Sequence, residues 1–331
     1  MKKKWLYALL CVLFTYAIIF LCSVSPFSDI VSKFSGGTQT HYNDTISKTI
    51  WCVIFDALIV FCFAMSKRLF AIPKAIYKNK ALVWSLAKND FKTRFSGSYL
   101  GTFWAFVNPI VTILLYWFIF QFAFKSPSVG DFPFVLWLTS GLVPWFLFSE
   151  ALTSGTNSMI EYSYLVKKVV FEIDILPAIK IIASLLLHFV FLGFTLILCV
   201  CLGCFPTLYA LQIIYYLICM LALVTGFVYA TSAIVLFFRD LAQFINVFMQ
   251  VFMWMTPIMW NSNIVPPAYL WIFKLNPMFY VITGYRDALL YKVFVTQHMG
   301  YTLYFWVFVV ALFMLGTTIF RRLRPHFADV L

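Results

Sequence analysis

The sequence predicts an all-α polytopic membrane protein. Of its 331 residues, 63% are hydrophobic and only 11% are charged, whereas soluble domains are about 45–50% apolar and about 25% charged. The apolar residues form long runs, each near or above the ~17–25 residues that a helix needs to cross hydrocarbon. The net charge of +12 lies in short segments between these runs. This placement favours a topology signal or an anionic lipid surface over nucleic acid.

Residues 1–66 predict a transmembrane hairpin. Lys2-Lys3-Lys4 precede an apolar run from Trp5 to Val24, which is an uncleaved anchor or a signal peptide. Pro26 directly follows the small-residue site Ser23-Val24-Ser25, and this favours the anchor. A second run, from Thr49 to Ser66, returns to the inside.

Residues 67–98 predict a basic linker and an amphipathic helix at the membrane interface. This stretch carries eight lysines and arginines, and its C-terminal half interleaves charges with Leu86, Phe91 and Phe95. Such a pattern suits basic residues against anionic headgroups and aromatic rings against acyl chains. Gly97 and Gly101 follow at a small-xxx-small spacing that lets helix backbones approach closely.

This junction resembles a known family. Asp90-Phe91-Lys92-Thr93-Arg94-Phe95, followed by Ser98, Leu100-Gly101, Trp104 and Asn108-Pro109, resembles the start of the first core helix of ABC-2 type membrane subunits. The branch it is similar to exports lipid-linked polysaccharides of the O-antigen and wall-teichoic-acid kind, and the ending Arg321 to Leu331 is also similar to that branch. The resemblance covers roughly Ala81 to Leu331. It implies motif roles for Asp90, Lys92, Arg94, Gly97, Gly101, Trp104 and Pro109.

Residues 99–331 are therefore expected to form a six-helix ABC-2 exporter core behind the two extra N-terminal helices. The proposed inner segments hold 18 of the 24 lysines and arginines, which predicts that both termini are cytoplasmic. The expected location is the cytoplasmic membrane of a bacterium. The six core spans run from Tyr99 to Phe124, Phe132 to Met159, Pro177 to Gly203, Leu208 to Phe238, Phe244 to Trp260 and Tyr301 to Phe320.

The inner segment Tyr162 to Glu172 mixes Leu, Val and Phe with Lys and Glu. The resemblance implies a coupling helix that docks into a groove of an ATPase subunit, and a short amphipathic helix can transmit a rigid-body push. The alternative is an ordinary charged loop that fixes topology. The residues assigned to coupling are Tyr164, Leu165, Lys167, Lys168, Phe171 and Glu172.

The outer segment Asn261 to Gly300 predicts a re-entrant pair of helices before the last span. Its two apolar pieces are too short to span, and such breaks are tolerated at membrane depth only where protein or a water-filled cavity covers them. Two interpretations of Arg286 stay open: it binds a phosphate of the cargo, or it forms a surface pair with Asp287 that is worth little. The residues assigned to this outer gate are Pro267, Asn276, Pro277 and Arg286.

Aromatic residues make up 21% of the chain. Rings in a pore offer flat apolar surface to sugar C–H faces, although a single ring more often serves packing or faces lipid. The second core span also carries hydroxyl residues around Glu150, which predicts either a pore lining or helix–helix hydrogen bonds. The residues assigned to the substrate path are Trp117, Trp145, Phe148, Glu150 and Trp254.

The resemblance implies the permease subunit of an ATP-driven exporter. Its expected partners are a second copy of the chain, two nucleotide-binding ATPase subunits, membrane lipids and a lipid-linked glycan, with no nucleic acid. The sequence has no G-x-x-x-x-G-K-[ST] loop. No cofactor is therefore expected in this chain, and the partner ATPase is expected to bind ATP and Mg²⁺ and to do the catalysis.

Two other functions stay open. A membrane-embedded glycosyl- or polyprenyl-transferase would need acidic metal-binding clusters such as D-x-x-D, and Glu161, Glu172 and Asp174 lack that spacing. An ABC-2 exporter of a small lipid or drug would differ in cargo only. The eight cysteines lie almost entirely in apolar runs, as small buried hydrophobic residues do, and no His or acidic residue accompanies the cluster of Cys199, Cys201 and Cys204.

Overall fold

The computed structural model describes residues 71–93, 99, 101–123, 128–166 and 172–330. The predicted N-terminal hairpin lies outside the described residues, so it stays a prediction, as do the domain limits. In chain order the α-helices are α1 (Ala71–Lys78), α2 (Lys80–Thr93), α3 (Trp104–Phe118), α4 (Phe134–Thr156), α5 (Ser158–Glu161), α6 (Ser163–Val166), α7 (Leu176–Cys201), α8 (Gln212–Ile234), α9 (Leu241–Trp254), α10 (Pro267–Lys274), α11 (Pro277–Arg286), α12 (Met299–Leu323) and α13 (Phe327–Val330).

Short segments join these helices. Strands β1 (Ser128–Val129) and β2 (Phe132–Pro133) pair antiparallel, with Ser128 opposite Pro133. The 3₁₀ turns are Gly101–Phe103, Ile173–Ile175, Leu208–Leu211, Ser262–Ile264, Val295–His298 and Arg324–His326, and the π-helical turns are Ile119–Ala123 and Asp287–Tyr291.

The prediction of an all-α polytopic membrane protein is confirmed. Within the described part of the chain, five helical stretches are long and apolar enough to cross a membrane: Trp104–Ala123, Phe134–Thr156, Ile173–Cys201, Leu208–Ile234 and Gly300–His326. The remaining predicted span, Phe244 to Trp260, corresponds to α9, which has 14 residues. At about 1.5 Å per residue α9 is about 21 Å long, shorter than the ~30 Å hydrocarbon core.

Helix α4 is the centre of the bundle. It packs against α7, α8, α11, α3 and α9, and most of its side chains are buried, including Trp137, Leu142 and Phe148. The neighbours of α4 are therefore arranged around it.

Helices α8 and α12 form the most extensive helix pair, and glycines allow their close approach. A Cβ atom built on Gly316 would collide with the backbone carbonyl oxygen of Gly226, and one on Gly226 would press on Leu312 and the amide of Phe313. Small residues at a helix crossing let backbones approach within van der Waals distance, which stabilises pairs that lipid alone would not drive together.

The C-terminus of α7 shows how local sequence ends a span. Gly203 has φ +76°, and the amides of Gly203 and Cys204 donate to the carbonyls of Val200 and Cys199 at 3.1 and 2.8 Å. This is the Schellman arrangement, which favours glycine because the left-handed conformation strains a residue with a Cβ. The end of the span is thus encoded at one residue.

The bundle has two chemically different ends. The basic end contains α1, α2, α5, α6 and α13 around a buried cluster that includes Val83, Tyr162 and Phe320. The opposite end contains the β1–β2 hairpin, α10 and α11, where Phe132 packs edge-on against Tyr291. The two short helices that the sequence predicted before the last span are present as α10 and α11.

We predict that Gly316→Ala destabilises the protein by about 1–3 kcal/mol, because the added methyl group overpacks the α8–α12 crossing. Gly193→Ala is the matched control, since a Cβ there meets no described atom within 4 Å. That substitution should be neutral or stabilise by up to about 1 kcal/mol. The free energy of unfolding in detergent micelles measures both, and equal effects of the two substitutions would contradict the proposed close packing.

Candidate functional site

Helix α2 docks one face on the bundle. Val83, Ala87 and Asp90 are its buried residues, and their i, i+4, i+7 spacing places them on one side of the helix. This face packs against α7, while Lys92 on α2 is exposed. Asp90 of the predicted interface motif therefore points into the protein, and the neighbouring basic position faces away from it.

Asp90 meets a lysine buried at the start of α7. Lys180 Nζ lies 2.5 Å from Asp90 Oδ1, and both side chains are less than one-tenth exposed. The same ammonium group also binds Glu161 of α5, whose side chain is 50% exposed. A buried charge is tolerated only when it is paired, so this lysine requires both helices to come to it.

Tyr162 completes the arrangement, which we call the Lys180 network (Asp90, Glu161, Tyr162 and Lys180). Its hydroxyl donates to Asp90 Oδ1 at 2.9 Å, and its ring lies 5.0 Å from Lys180 Nζ. Burial, and then the nearby Asp90 carboxylate, raise the pKa of the Tyr162 phenol well above its ordinary value. Tyr162 therefore keeps its proton and remains a hydrogen-bond donor to Asp90.

Sequence reasoning assigned no role to Lys180, Glu161 or Tyr162 as a group. One signal was available: Lys180 lies four residues into an otherwise apolar helix, and an ionisable residue in such a helix is a functional candidate by default. Its partners could not be read from spacing, because Asp90 is 90 residues away in the chain.

The α4–α7 loop (residues 157–175) contains the predicted coupling residues. Its first limb holds α5 and α6, where Tyr164 is 58% exposed and Leu165 is partly buried against the basic-end cluster. Lys167, Lys168 and Phe171 lie outside the described residues. The first limb thus combines an attachment to the bundle, through the buried Tyr162 and the half-exposed Glu161, with an exposed aromatic residue.

The second limb of the α4–α7 loop is held by α1. Glu172 accepts hydrogen bonds from Lys78 Nζ and Asn79 Nδ2, both at 2.5 Å. The hydrogen bond from Lys78, and then that from Asn79, lowers the pKa of the Glu172 carboxyl below its ordinary value. Lys78 is largely exposed, so this is a surface contact that water screens.

The C-terminal segment also supports this limb. Arg324 Nη1 donates to Asp174 Oδ2 at 3.0 Å, and the hydroxyl of Tyr229 donates to the Asp174 carbonyl at 2.6 Å. Phe327 is fully buried and packs on Phe320. The Arg-Pro-His-Phe ending therefore braces the loop from below the last span.

The first-span motif is only partly described. Arg94 and Gly97 lie outside the described residues. Gly101 has φ +52°, and no described atom lies within 4 Å of where its Cβ would be. Gly101 therefore serves a backbone turn, and the close helix approach that its spacing suggested stays a prediction. Trp104 begins α3 and is exposed, and Pro109 lies inside α3.

The predicted path residues fall into two groups. Trp145 and Phe148 are buried and stack with Phe252 of α9 at ring-centroid distances of 6.2 and 5.9 Å. Trp117 and Glu150 are partly exposed, and Trp254 is 64% exposed at the end of α9. The hydroxyl groups near Glu150 mostly bond back to their own helix. Thr156 reaches across to Thr231 of α8 at 2.8 Å.

Arg286 lies at the opposite end and is buried. Its guanidinium donates to the carbonyl oxygens of Pro257 at 2.5 Å, Ile258 at 2.8 Å and Trp137 at 3.4 Å. It also stacks 3.5 Å from the ring centroid of Trp137. Asp287 is buried as well, so the residues do not form a surface pair. Arg286 ties α11 to α4 and to the bend after α9.

Asn276 and Pro277 form the break between the two short helices. The Asn276 side chain accepts from the amide of Met278 at 2.8 Å and donates to Thr256 Oγ1 at 2.7 Å. Pro277 occupies the first turn of α11 and Pro267 that of α10. Proline suits this position because the first amides of a helix have no intrahelical acceptor. From α12, the hydroxyls of Tyr301 and Tyr304 donate to the carbonyls of Lys274 and Leu275.

Comparison with known proteins identifies the family. The family model described as "ABC-2 type transporter" matches residues 81–290, which is more than half of the chain. The chain belongs to the ABC-2 type transporter family. The matched segment of this ABC-2 protein contains α2, the whole Lys180 network and Arg286.

Curated relatives agree with this assignment. An O-antigen export system permease protein RfbA of Klebsiella pneumoniae is 27% identical over 254 residues, covering 74% of this chain and 93% of the relative. A second RfbA of that organism is 26% identical over 247 residues, with the same coverage. One from Myxococcus xanthus is 26% identical over 223 residues, covering 67% of this chain and 84% of the relative. The chain is similar to nearly the full length of the Klebsiella proteins.

We predict that Lys180→Met destabilises the protein by about 3–5 kcal/mol, because it leaves the Asp90 carboxylate buried without its cation. Asp90→Asn combined with Lys180→Met should cost less than Lys180→Met alone, since no buried charge then remains in the Lys180 network. Denaturant unfolding in micelles measures both effects. A double variant that is less stable than the single variant would show that the ion pair itself supplies the stability.

We predict that Gly141→Ala costs about 1–3 kcal/mol only when Arg286 is present. A Cβ at Gly141 would lie 2.7 Å from Arg286 Nη2, so the methyl group must displace the guanidinium from its carbonyl partners. In an Arg286→Met background the same substitution should be nearly neutral. The double-mutant cycle in unfolding free energy measures this coupling, and an equal cost in both backgrounds would contradict it.

Proposed function

We propose that this protein is the permease subunit of an ATP-driven exporter. Its cargo is a lipid-linked polysaccharide or a teichoic-acid-like polymer, moved across the cytoplasmic membrane of a bacterium. The observation that carries the proposal is the anchored α4–α7 loop, in a chain whose family and relatives are transport proteins. The loop is bound to α2 and α7 by its first limb and to α1 and the C-terminal segment by its second.

An anchored loop of this kind suits a docking element for a separate ATPase subunit. A flexible loop would absorb a push, whereas a loop tied to membrane helices passes the displacement on. The exposed ring of Tyr164 and the predicted Lys167, Lys168 and Phe171 supply the apolar and basic contacts. Binding of ATP and Mg²⁺ is assigned to the ATPase subunit. The proposed assembly contains two ATPase subunits and two copies of this chain.

The surface of α9 supports a homodimer with a shared path. Phe244, Val247 and Trp254 are exposed on α9 together with the amide side chains of Gln243, Asn246 and Gln250. An amide facing lipid has no partner for its hydrogen bonds, so this face is more stable against protein or a polar conduit. A second copy across this face would enclose a path with both rings and hydrogen-bonding groups, which a glycan can contact.

The relatives support the polysaccharide cargo, because each is named an O-antigen export permease. Both termini are assigned to the cytoplasmic side, in line with the excess of basic residues there. The transferase and the small-molecule exporter have no comparable support, since no relative named above is either.

We predict that Tyr164→Asp reduces ATPase retention at least tenfold when the chain is co-expressed with the nucleotide-binding subunit of an O-antigen export system and purified from membranes. A charge on this exposed ring should oppose docking without affecting the core. Tyr269→Asp is the matched control, since Tyr269 is equally exposed, at 59%, on α10.

Both variants should unfold like the wild type. Retention of the ATPase by Tyr164→Asp at the wild-type level would reject the docking role of the loop. Polymer transfer by the purified chain without any ATPase would reject the proposed function as a whole.

A further inference from the structure

One ammonium group joins three elements at the basic end. Lys180 Nζ of α7 binds Asp90 of α2 and Glu161 of the α4–α7 loop at the same time. A lysine ammonium has three hydrogens and no acceptor, and it can direct them to separate partners. The third side of this group faces the ring of Tyr162. The Lys180 ammonium group is therefore shared between two carboxylates and is not part of a simple ion pair.

The two carboxylates differ in burial, and this sets the order in which the contacts can open. Asp90 and Lys180 are both buried, so separating them would strand two charges in a low-dielectric site. Glu161 is half exposed, and water can solvate it when it leaves Lys180. The Asp90–Lys180 contact should therefore hold α2 to α7 more strongly than the Glu161–Lys180 contact holds the loop.

A second tie links the loop to α2 without using Lys180. Tyr162 donates to the same Asp90 oxygen that Lys180 binds. On the other limb of the loop, Glu172 meets the exposed Lys78 of α1 and the half-buried Asn79 that follows this helix. A displacement of the first limb of the loop is therefore passed to α2 and α7 through charge-assisted contacts.

We propose that Lys180 is a positioning residue that makes α2, the first limb of the α4–α7 loop and the start of α7 move as one body during the transport cycle. This role rests on the proposed function and deepens it, because it names how a push on the loop reaches the membrane helices. Helix α7 packs along α4, so the displaced body acts directly on the centre of the bundle.

The test uses the full-length chain in complex with its ATPase, in proteoliposomes that contain a polyprenyl diphosphate-linked O-antigen glycan. Glycan exported per ATP hydrolysed is the readout, since a purely structural role would not change this ratio in a folded complex. Glu161→Gln and the neutral pair Asp90→Asn with Lys180→Met should each lower the ratio at least fivefold, with ATPase retention unchanged. Lys180→Arg, which keeps the charge, should stay within about twofold of the wild type.

Lys88→Met is the matched control, because Lys88 is an exposed lysine on α2, the helix that carries Asp90. This substitution should leave the ratio unchanged. A wild-type ratio in the neutral pair, with the complex folded and retained, would overturn the proposal. If the wild-type complex exports no glycan, the proposed function fails. The positioning role is then decided by hydrogen exchange of the chain alone.

In that measurement the backbone amide hydrogens of residues 80–93 and 158–166 should exchange at least tenfold faster in the neutral double variant than in the wild type. Both segments should be accelerated to the same extent, and exchange in α8 should be unaffected. Faster exchange in only one of these segments, or in neither, would reject the single moving body.

Discussion

The ion pair between Lys180 and Asp90 is the constraint on which the basic end depends. A charged lysine inside a largely apolar helix is stable only beside a carboxylate, and its buried carboxylate partner comes from α2. Helix α2 must therefore pack its Val83–Ala87–Asp90 face against α7. Once α2 is fixed, Tyr162 finds its acceptor on Asp90, and the α4–α7 loop is fixed in turn.

The opposite end is held by a different chemistry. Arg286 is buried like Lys180, but its partners are backbone carbonyls and the face of Trp137. A guanidinium suits this role because its planar fork can serve several acceptors while stacking on a ring. Helix α4 takes part at both ends, since it carries Trp137 near its start and continues directly into the α4–α7 loop. Its buried, close-packed length connects the two sites mechanically.

The sequence predicts elements better than it predicts partners. Runs of apolar residues give the spans, and Asn276-Pro277 gives the break between α10 and α11, because capping and proline chemistry act within a few residues. The end of α9 at Trp254 was missed, since apolar residues continue to Trp260 although the helix does not. The Lys180 network and the acceptors of Arg286 join residues far apart in the chain, and no local pattern encodes such pairs. The left-handed conformation of Gly101 was not predicted either, because residue spacing alone does not encode a backbone turn.

The distribution of charge bears on how a glycan could move along the proposed path. Helices α3 and α9 contain no charged residue. The buried cationic side chains of Lys180 and Arg286 bind partners inside the protein. The exposed polar groups of α9 are neutral amides beside aromatic and aliphatic side chains. Neutral amides exchange hydrogen bonds with hydroxyl groups at little net cost, since each broken bond is replaced by another. A surface of this kind would hold a sugar chain weakly at many points, which suits a polymer that must slide, whereas fixed charges would retain a phosphate-bearing cargo at one position.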